Sequence, residues 1–328
     1  MLPTPSDVHV DAVLTNVSVA YLQSADAFVA AKVFPNVPVQ KQSDRYYTYD
    51  RGDFNRDEME IRAPATESAG GGYRLDNTPT YYCPVYAYHK DIPDEVRDNA
   101  DAVLNQNSEA TQFCSLKALI KREKIFVTKF FTSGLWTTGY TATTASPGTN
   151  QVIRWNMSTS TPIEDIRLTK RTVMESTGFA PNKLVLGRAV YDALLDHPDI
   201  IDRLKAGQTP GGPAMANRVA LAQIFEVGEI LVMDSIQNTA KEGQTNSHSF
   251  IGGKHALLVY AAPNPGLMTP TGGYTFTWVG HIGAGALGNR ITNFRMPQLK
   301  SDRIEIEMAF DMKLVSADLG VFFTSVVA

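Results

Sequence analysis

The chain has 328 residues, 43% of them hydrophobic and 20% charged, with a formal net charge of −4. This is globular composition. It excludes a disordered or collagen-like polymer, and the length asks for one large or two to three smaller compact units. The acidic balance, with a pI near 5.9, argues against a dedicated nucleic-acid binder, which carries a basic excess. No run approaches the ~18 apolar residues that span a bilayer. The first residues also lack the basic-then-apolar order of a signal peptide. Cys83 and Cys114 have no second pair beside them, so neither a disulfide framework nor a zinc ribbon is indicated. Reduced, inert thiols are expected.

Residues 1–40 open on Leu2-Pro3-Thr4-Pro5 and close on Val33-Phe34-Pro35-Asn36-Val37-Pro38-Val39. Each proline fixes its own φ and biases the preceding residue toward extended chain. A short helix or two could fit within 10–31. This reads as an arm, not a domain. Residues 41–62 then carry five basic and six acidic side chains with the signs interleaved, and Tyr46, Tyr47, Tyr49 and Phe54 add β-favouring aromatics. A glycine run at 70–72 follows, and then a second β-like run at 81–88, where Pro84 restricts the strand to an edge or a bulge. The expected form is a long two-stranded arm that cannot bury a core by itself. Two readings fit it: a solvated surface hairpin, or an arm lying on a neighbouring subunit with its charges paired across the contact.

Residues 91–131 read as one long helix. Asp91 is placed to cap it and Pro93 to sit in its first turn. Val96, Ala100, Val103, Ala110, Cys114 and Ala118 recur at three- and four-residue steps. Acidic residues crowd the start, while Lys117, Lys121, Arg122, Lys124 and Lys129 crowd the end, which suits the helix dipole. Residues 137–151 read as loop or hairpin. A second amphipathic helix is expected over 161–177, with Pro162 at its start and Gly178 just past its end. From 179 the spacing predicts strands at 183–186, 229–233, 256–260 and 274–279, and helices at 189–195, 198–205 and 216–225. Together these make an α+β domain. Over 303–314, charged residues alternate with Ile304, Ile306, Met308, Phe310, Met312 and Leu314, the pattern of a long half-buried strand. Residues 319–327 form a continuously apolar finish.

Few motifs of catalytic type stand out. Residues 283–288 spell GxGxxG after an apparent strand, but Pro297 closes off the segment before a crossover helix could form. A flexible or closely packed loop is therefore the preferred reading over a dinucleotide site. Ile251-Gly252-Gly253-Lys254-His255 lacks the spacing of a phosphate-binding loop. The six histidines include no HExxH group, and His197 reads as a helix-junction residue. There is no GxSxG elbow. Glu305 and Glu307 share one strand face and read as solvent or interface charges. The basic residues Lys117, Lys121, Arg122 and Lys124 could face phosphates non-specifically, but complementarity to the helix dipole explains them equally and is preferred. No catalytic residue, cofactor or metal is assigned.

The order of these elements resembles the major capsid proteins of tailed bacteriophages, whose fold is named after phage Hong Kong 97. The segment 33–39 followed by aromatics is similar to the end of that family's N-arm leading into its E-loop. Asn182-Lys183-Leu184-Val185-Leu186-Gly187 through His197-Pro198-Asp199-Ile200 resembles the strand–helix entry of its A-domain. Residues 257–265 with 273–278 resemble the later part of that domain, and 304–320 its closing P-domain strands. The resemblance implies an N-terminal arm at 1–40, an E-loop at 41–90 and a P-domain at 91–178 with a spine helix at 91–131. It further implies an A-domain at 179–300 and P-domain return strands at 301–328.

The resemblance also implies a non-catalytic subunit that assembles as hexamers and pentamers. These would close into an icosahedral virion shell around double-stranded DNA, held non-specifically. Its partners would be a portal, a separate scaffolding protein and possibly a decoration protein, with no membrane. Assembly would take place in the bacterial host cytoplasm, and no maturation cleavage is expected. Arg45, Arg51, Asp53, Arg56, Asp57, Glu58 and Arg62 are the candidate intersubunit contacts. Lys117, Lys121, Arg122 and Lys124 are the candidate inner-surface residues. Exposed ion pairs are individually weak, so such contacts would set register more than strength. Two alternatives stay open: an encapsulin-type nanocompartment, separated from a capsid by its cargo, and a dinucleotide-dependent enzyme resting only on 283–288.

Overall fold

Alternation of side chains along extended chain sorts this molecule into two cores. The computed structural model describes residues 22–100, 105–206, 217–283 and 288–328. In chain order, helix α1 (Ala30–Val33) leads to β1 (Asn36–Val39), then β2 (Ser43–Arg45), β3 (Thr48–Tyr49) and the one-turn helix α2 (Arg51–Phe54). The chain returns through β4 (Leu75–Asp76) and β5 (Thr80–Tyr82) into β6 (Val85–Pro93). Two helices follow, α3 (Asp94–Asp98) and α4 (Gln106–Phe130), and then β7 (Thr138–Thr143), β8 (Gln151–Ile153) and α5 (Pro162–Thr177). The next section holds β9 (Lys183–Gly187), α6 (Arg188–Leu195), α7 (Pro198–Ala206), α8 (Arg218–Ile224), β10 (Glu229–Met233), β11 (Ile236–Asn238), β12 (His248–Phe250) and β13 (Ala256–Val259). Last come β14 (Gly273–Trp278), α9 (Val279–Ile282), β15 (Asn289–Met296), β16 (Ser301–Leu314) and β17 (Gly320–Thr324).

One sheet has the order β10-β9-β13-β17-β7-β8. Leu184–Leu186 of β9, all of β13 and Val321–Phe323 of β17 are apolar at successive positions because both faces are covered. On one face, Leu184, Leu186, Ile230, Val232, Ala256, Leu258, Val321 and Phe323 join Trp155 and the inner sides of α5, α6 and α8. On the other, Val185, Leu231, Met233, Leu257, Val259 and Phe322 meet α4 and the second sheet. The alternation therefore assigns each neighbouring pair of residues to opposite cores.

The second sheet is built on β16, which pairs antiparallel with β6, β15 and β14, while β1 lies parallel to β14. Ile306, Met308, Phe310 and Met312 face α4, as the alternation predicts. Ala110, Cys114 and Ala118, four residues apart on α4, are all buried, and the Cys114 thiol lies 3.8 Å from the Ile304 carbonyl. Small side chains at that spacing let the helix approach the sheet. Both cysteines are free and buried, as expected.

The structure corrects the sequence reading in three places. The long helix does not begin at 91. Residues 85–93 form a strand against Ala309–Ser301, α3 is a single short helix capped by Pro93, and α4 starts only at Gln106 behind an Asn105 cap. Pro93 forces Ile92 toward extended backbone, and Asp91 is held by Arg303 (2.7 and 2.8 Å) instead of capping a helix. The 25 residues of α4 span ~37 Å.

Residues 138–143 and 151–153, within or bordering the stretch 137–151 expected as loop or hairpin, supply two parallel strands to the edge of the first sheet. The window 179–300 does not close on itself: β7, β8 and β17 complete its sheet, while β14 and β15 belong to the other. As the sequence reading expects, no helix follows Gly288 (φ +62°): it opens a strand, and a Cβ there would stand 2.3 Å from Thr277. Its tight packing is what the preferred loop reading asked for; residues 284–287 lie outside those described. Of the early segment 10–31, the described part contains α1 and a 3₁₀ turn over Ala25–Ala27.

Candidate assembly surface

The arm at 41–90 has a docked root and a free tip. At the root, β2 pairs with β5, the Tyr81 ring stacks on Phe276 (4.6 Å), and the Tyr82 N–H donates to Asp311 (3.1 Å). Further out, β3 pairs with β4, and Asp50 caps α2 by accepting the Gly52 N–H (2.8 Å). The turn is fastened by charge. Asp53 accepts from Arg56 (3.0 Å), from the Arg74 side chain (3.2 Å) and from the Arg74 N–H (2.9 Å), while Arg74 also reaches Asp50. The Arg74 guanidinium and N–H hold the Asp53 carboxyl below the usual carboxylate range. Tyr49, Phe54 and Tyr73 cluster beside it.

Beyond this turn every residue from 54 to 78 is exposed. Met59 is 93% and Ile61 103% exposed, in the run Asp57-Glu58-Met59-Glu60-Ile61.

The sequence-nominated contacts therefore divide. Arg51 pairs with Asp318 of the same chain (3.1 Å), Arg56 with Asp53 (3.0 Å) and Glu58 (3.5 Å), and Asp53 is largely enclosed by its partners. The side chains of Arg45, Asp57 and Arg62 are exposed, with no ion pair among the described residues. Arg74, Met59 and Ile61 went unnominated. Asp50 and Asp53 one turn apart were the available signal for a basic partner, but nothing local says that it comes from 74.

A second feature is a groove of about 470 Å³ lined by Val85 to Tyr88 of β6, Lys117, Ala118 and Lys121 of α4, and Ile306 and Met308 of β16. The Lys121 ammonium lies over Tyr86 (5.2 Å) and that of Lys117 over Phe113 (5.1 Å). The groove has an apolar floor and a cationic rim. The four nominated basic residues do not form one patch. Lys117 and Lys121 edge this groove, Lys124 is exposed elsewhere on the helix, and Arg122 is buried over the Phe310 ring (4.7 Å), where burial brings it down to about 10. Arg122 is thus corrected from an inner-surface residue to a packing one.

At the far end of β16, Arg295 bridges Asp94 (2.6 Å) and Asp302 (3.2 Å), and Arg97 also reaches Asp302. These pairs tie α3 to the β15–β16 turn.

His197 packs at the α6–α7 junction as the sequence suggested. Its Nδ1 accepts the Asp199 N–H (3.2 Å), so Nε2 carries the proton and donates to Ser160 Oγ (2.9 Å). A histidine committed in this way cannot act as base toward that serine. Among the described residues no group of three metal-ligating side chains forms, and no helix is long and apolar enough to cross a membrane.

Residues 145–303 match the family model described as phage major capsid protein E. The major capsid protein of Pseudomonas phage JBD67 is 26% identical over 97% of both chains. Among solved structures, a phage-related protein from Bordetella bronchiseptica RB50 superposes with a TM-score of 0.68 at 19% identity, covering 93% of each chain. The capsid protein of cyanophage P-SCSP1u gives 0.61 at 10% identity, over 97% of this chain and 93% of that one. The SrpI encapsulin from Synechococcus elongatus PCC 7942 gives 0.55 at 10%, over 96% and 95%. The fold is therefore the Hong Kong 97 type, and the chain is similar over nearly its whole length to phage major capsid proteins.

Proposed function

We propose that this chain is the non-catalytic subunit of a phage capsid, packing as hexamers and pentamers into an icosahedral shell around double-stranded DNA. The reading rests on one observation: the arm is anchored at its root yet carries Met59 and Ile61 wholly in solvent. Fully burying such a side chain contributes ~1.5–3 kcal/mol, which exceeds what a surface ion pair supplies. The acidic–apolar alternation at 57–61 complements a groove with an apolar floor and Lys117 and Lys121 on its rim. A neighbouring copy would thus offer a seat that the described residues of its own chain leave open. A portal, a scaffolding protein and a possible decoration protein are the partners that this reading brings with it, and assembly would occur in the host cytoplasm.

Met59→Asp combined with Ile61→Asp tests it. Electron microscopy should find no closed shells, while the melting temperature of the isolated subunit stays within a degree or two of wild type. Normal shells from the double variant would overturn the role given to the tip. Particles purified from infected cells should protect double-stranded DNA from nuclease. Protein-filled particles without DNA would instead favour the nanocompartment, whose fold is shared.

A further inference from the structure

Glu123 lies in the second half of α4, the one acidic residue among the basic residues of 117–129. It is fully buried, and its oxygens accept the backbone N–H of Val29 (3.2 Å to each) and of Ala30 (2.9 Å). Those donors open α1, and the N–H groups of a helix's first turn have no intrahelical partner. The segment held in this way is the N-terminal arm: Val29, Ala30, Val33 and Phe34 are buried, and the Phe34 ring meets Phe130 at 4.5 Å.

No cation lies within ion-pair distance of Glu123 among the described residues. Lys32 on α1 exerts a positive influence on it but pairs outward with Asp26 (3.4 Å). Lys183 on β9 donates to the Lys32 carbonyl and faces Glu229 (3.8 Å). Arg122, next to Glu123 in sequence, is turned onto Phe310.

We propose that Glu123 is a pH-dependent clasp between the N-terminal arm and the spine helix, firm while its carboxyl is neutral and loosened when that dry site must hold a charge. Burial raises the carboxyl to about 7, outweighing the opposing backbone N–H bonds and Lys32. With the arm lifted away the carboxyl is solvated and returns to the ordinary range near 4.3. The docked state therefore binds the proton more tightly. Docking is strongest at acidic pH, weakens as pH rises through 7 and levels off above it. Between pH 6 and pH 8.5 this linkage amounts to about a tenfold loss in the docking equilibrium. The clasp is internal to one chain and does not depend on the shell reading.

Hydrogen exchange read by mass spectrometry on the full chain tests it, following peptides over 22–40 with rates corrected for intrinsic base catalysis. Wild-type protection should fall about tenfold from pH 6 to pH 8.5. Glu123→Gln keeps a carbonyl acceptor without a titrating group and should show no such fall. Corrected wild-type protection that is flat across this range would overturn the clasp without recourse to any variant. So would a folded Glu123→Gln protein that retains the wild-type pH dependence.

Discussion

Arg122 and Glu123 are adjacent charged residues near the basic end of the helix, and from sequence nothing marks either as buried; yet both are, and they do opposite things. The arginine plane spreads over Phe310, while the Glu123 carboxyl collects N–H groups from 94 residues away. Helical periodicity marks which face a residue occupies, but it does not say what covers that face. The cysteines were easier: with no second pair beside them they read as reduced and inert, and Cys114 fell on the apolar stripe of the helix. Cys83 lies beside the Phe276 carbonyl (3.5 Å), and desolvation pushes its thiol up to about 12. Since the thiolate is the reactive species, iodoacetamide at pH 8 should label neither Cys83 nor Cys114 in the native chain. Both should react once urea unfolds it. Prompt native labelling would mean that the region around β5 and β6 opens.

At the scale of elements, local chemistry sets the ends of α5. Pro162 occupies its first turn, and Gly178 closes it in the left-handed conformation (φ +80°) with its N–H on the Met174 carbonyl (2.7 Å). A Cβ at Gly178 would meet nothing within 4 Å, so Gly178→Ala costs only the backbone strain, ~1–2 kcal/mol. Urea denaturation should show that loss with an unchanged m-value, and a neutral result would mean that the helix end relaxes. The N-terminal boundary of the spine helix was not legible in the same way. Residues 91–98 carry helix-start signals, and α3 uses some of them. Yet 85–93 gain a full ladder with 301–309, and no local pattern reports a partner some two hundred positions on. Residues 138–153 show the same effect, since their Thr- and Gly-rich chain becomes strand only because β17 offers an edge.

For the whole molecule, the division between docked root and exposed tip predicts a difference between states. Trypsin should cut the free subunit at Arg56 and Arg62 well before the body, and the same bonds should resist once copies have assembled. Equal susceptibility in subunits and shells would show that the tip stays uncovered.

By itself the sequence determined the alternation of β16, the doubly covered strands β9, β13 and β17, both ends of α5, and the order of elements by which the capsid family is recognised. These depend on side-chain period and backbone preference over a few neighbouring residues, and such information is local. Only the tertiary structure decided where strand yields to helix near Pro93, which sheet β7, β14 and β15 join, that Arg74 fastens the arm, and what Glu123 holds. In each case the deciding partner arrives from a distant part of the chain. The choice is then made by the free energy of long-range pairing and burial, and the residues flanking the site carry no record of it.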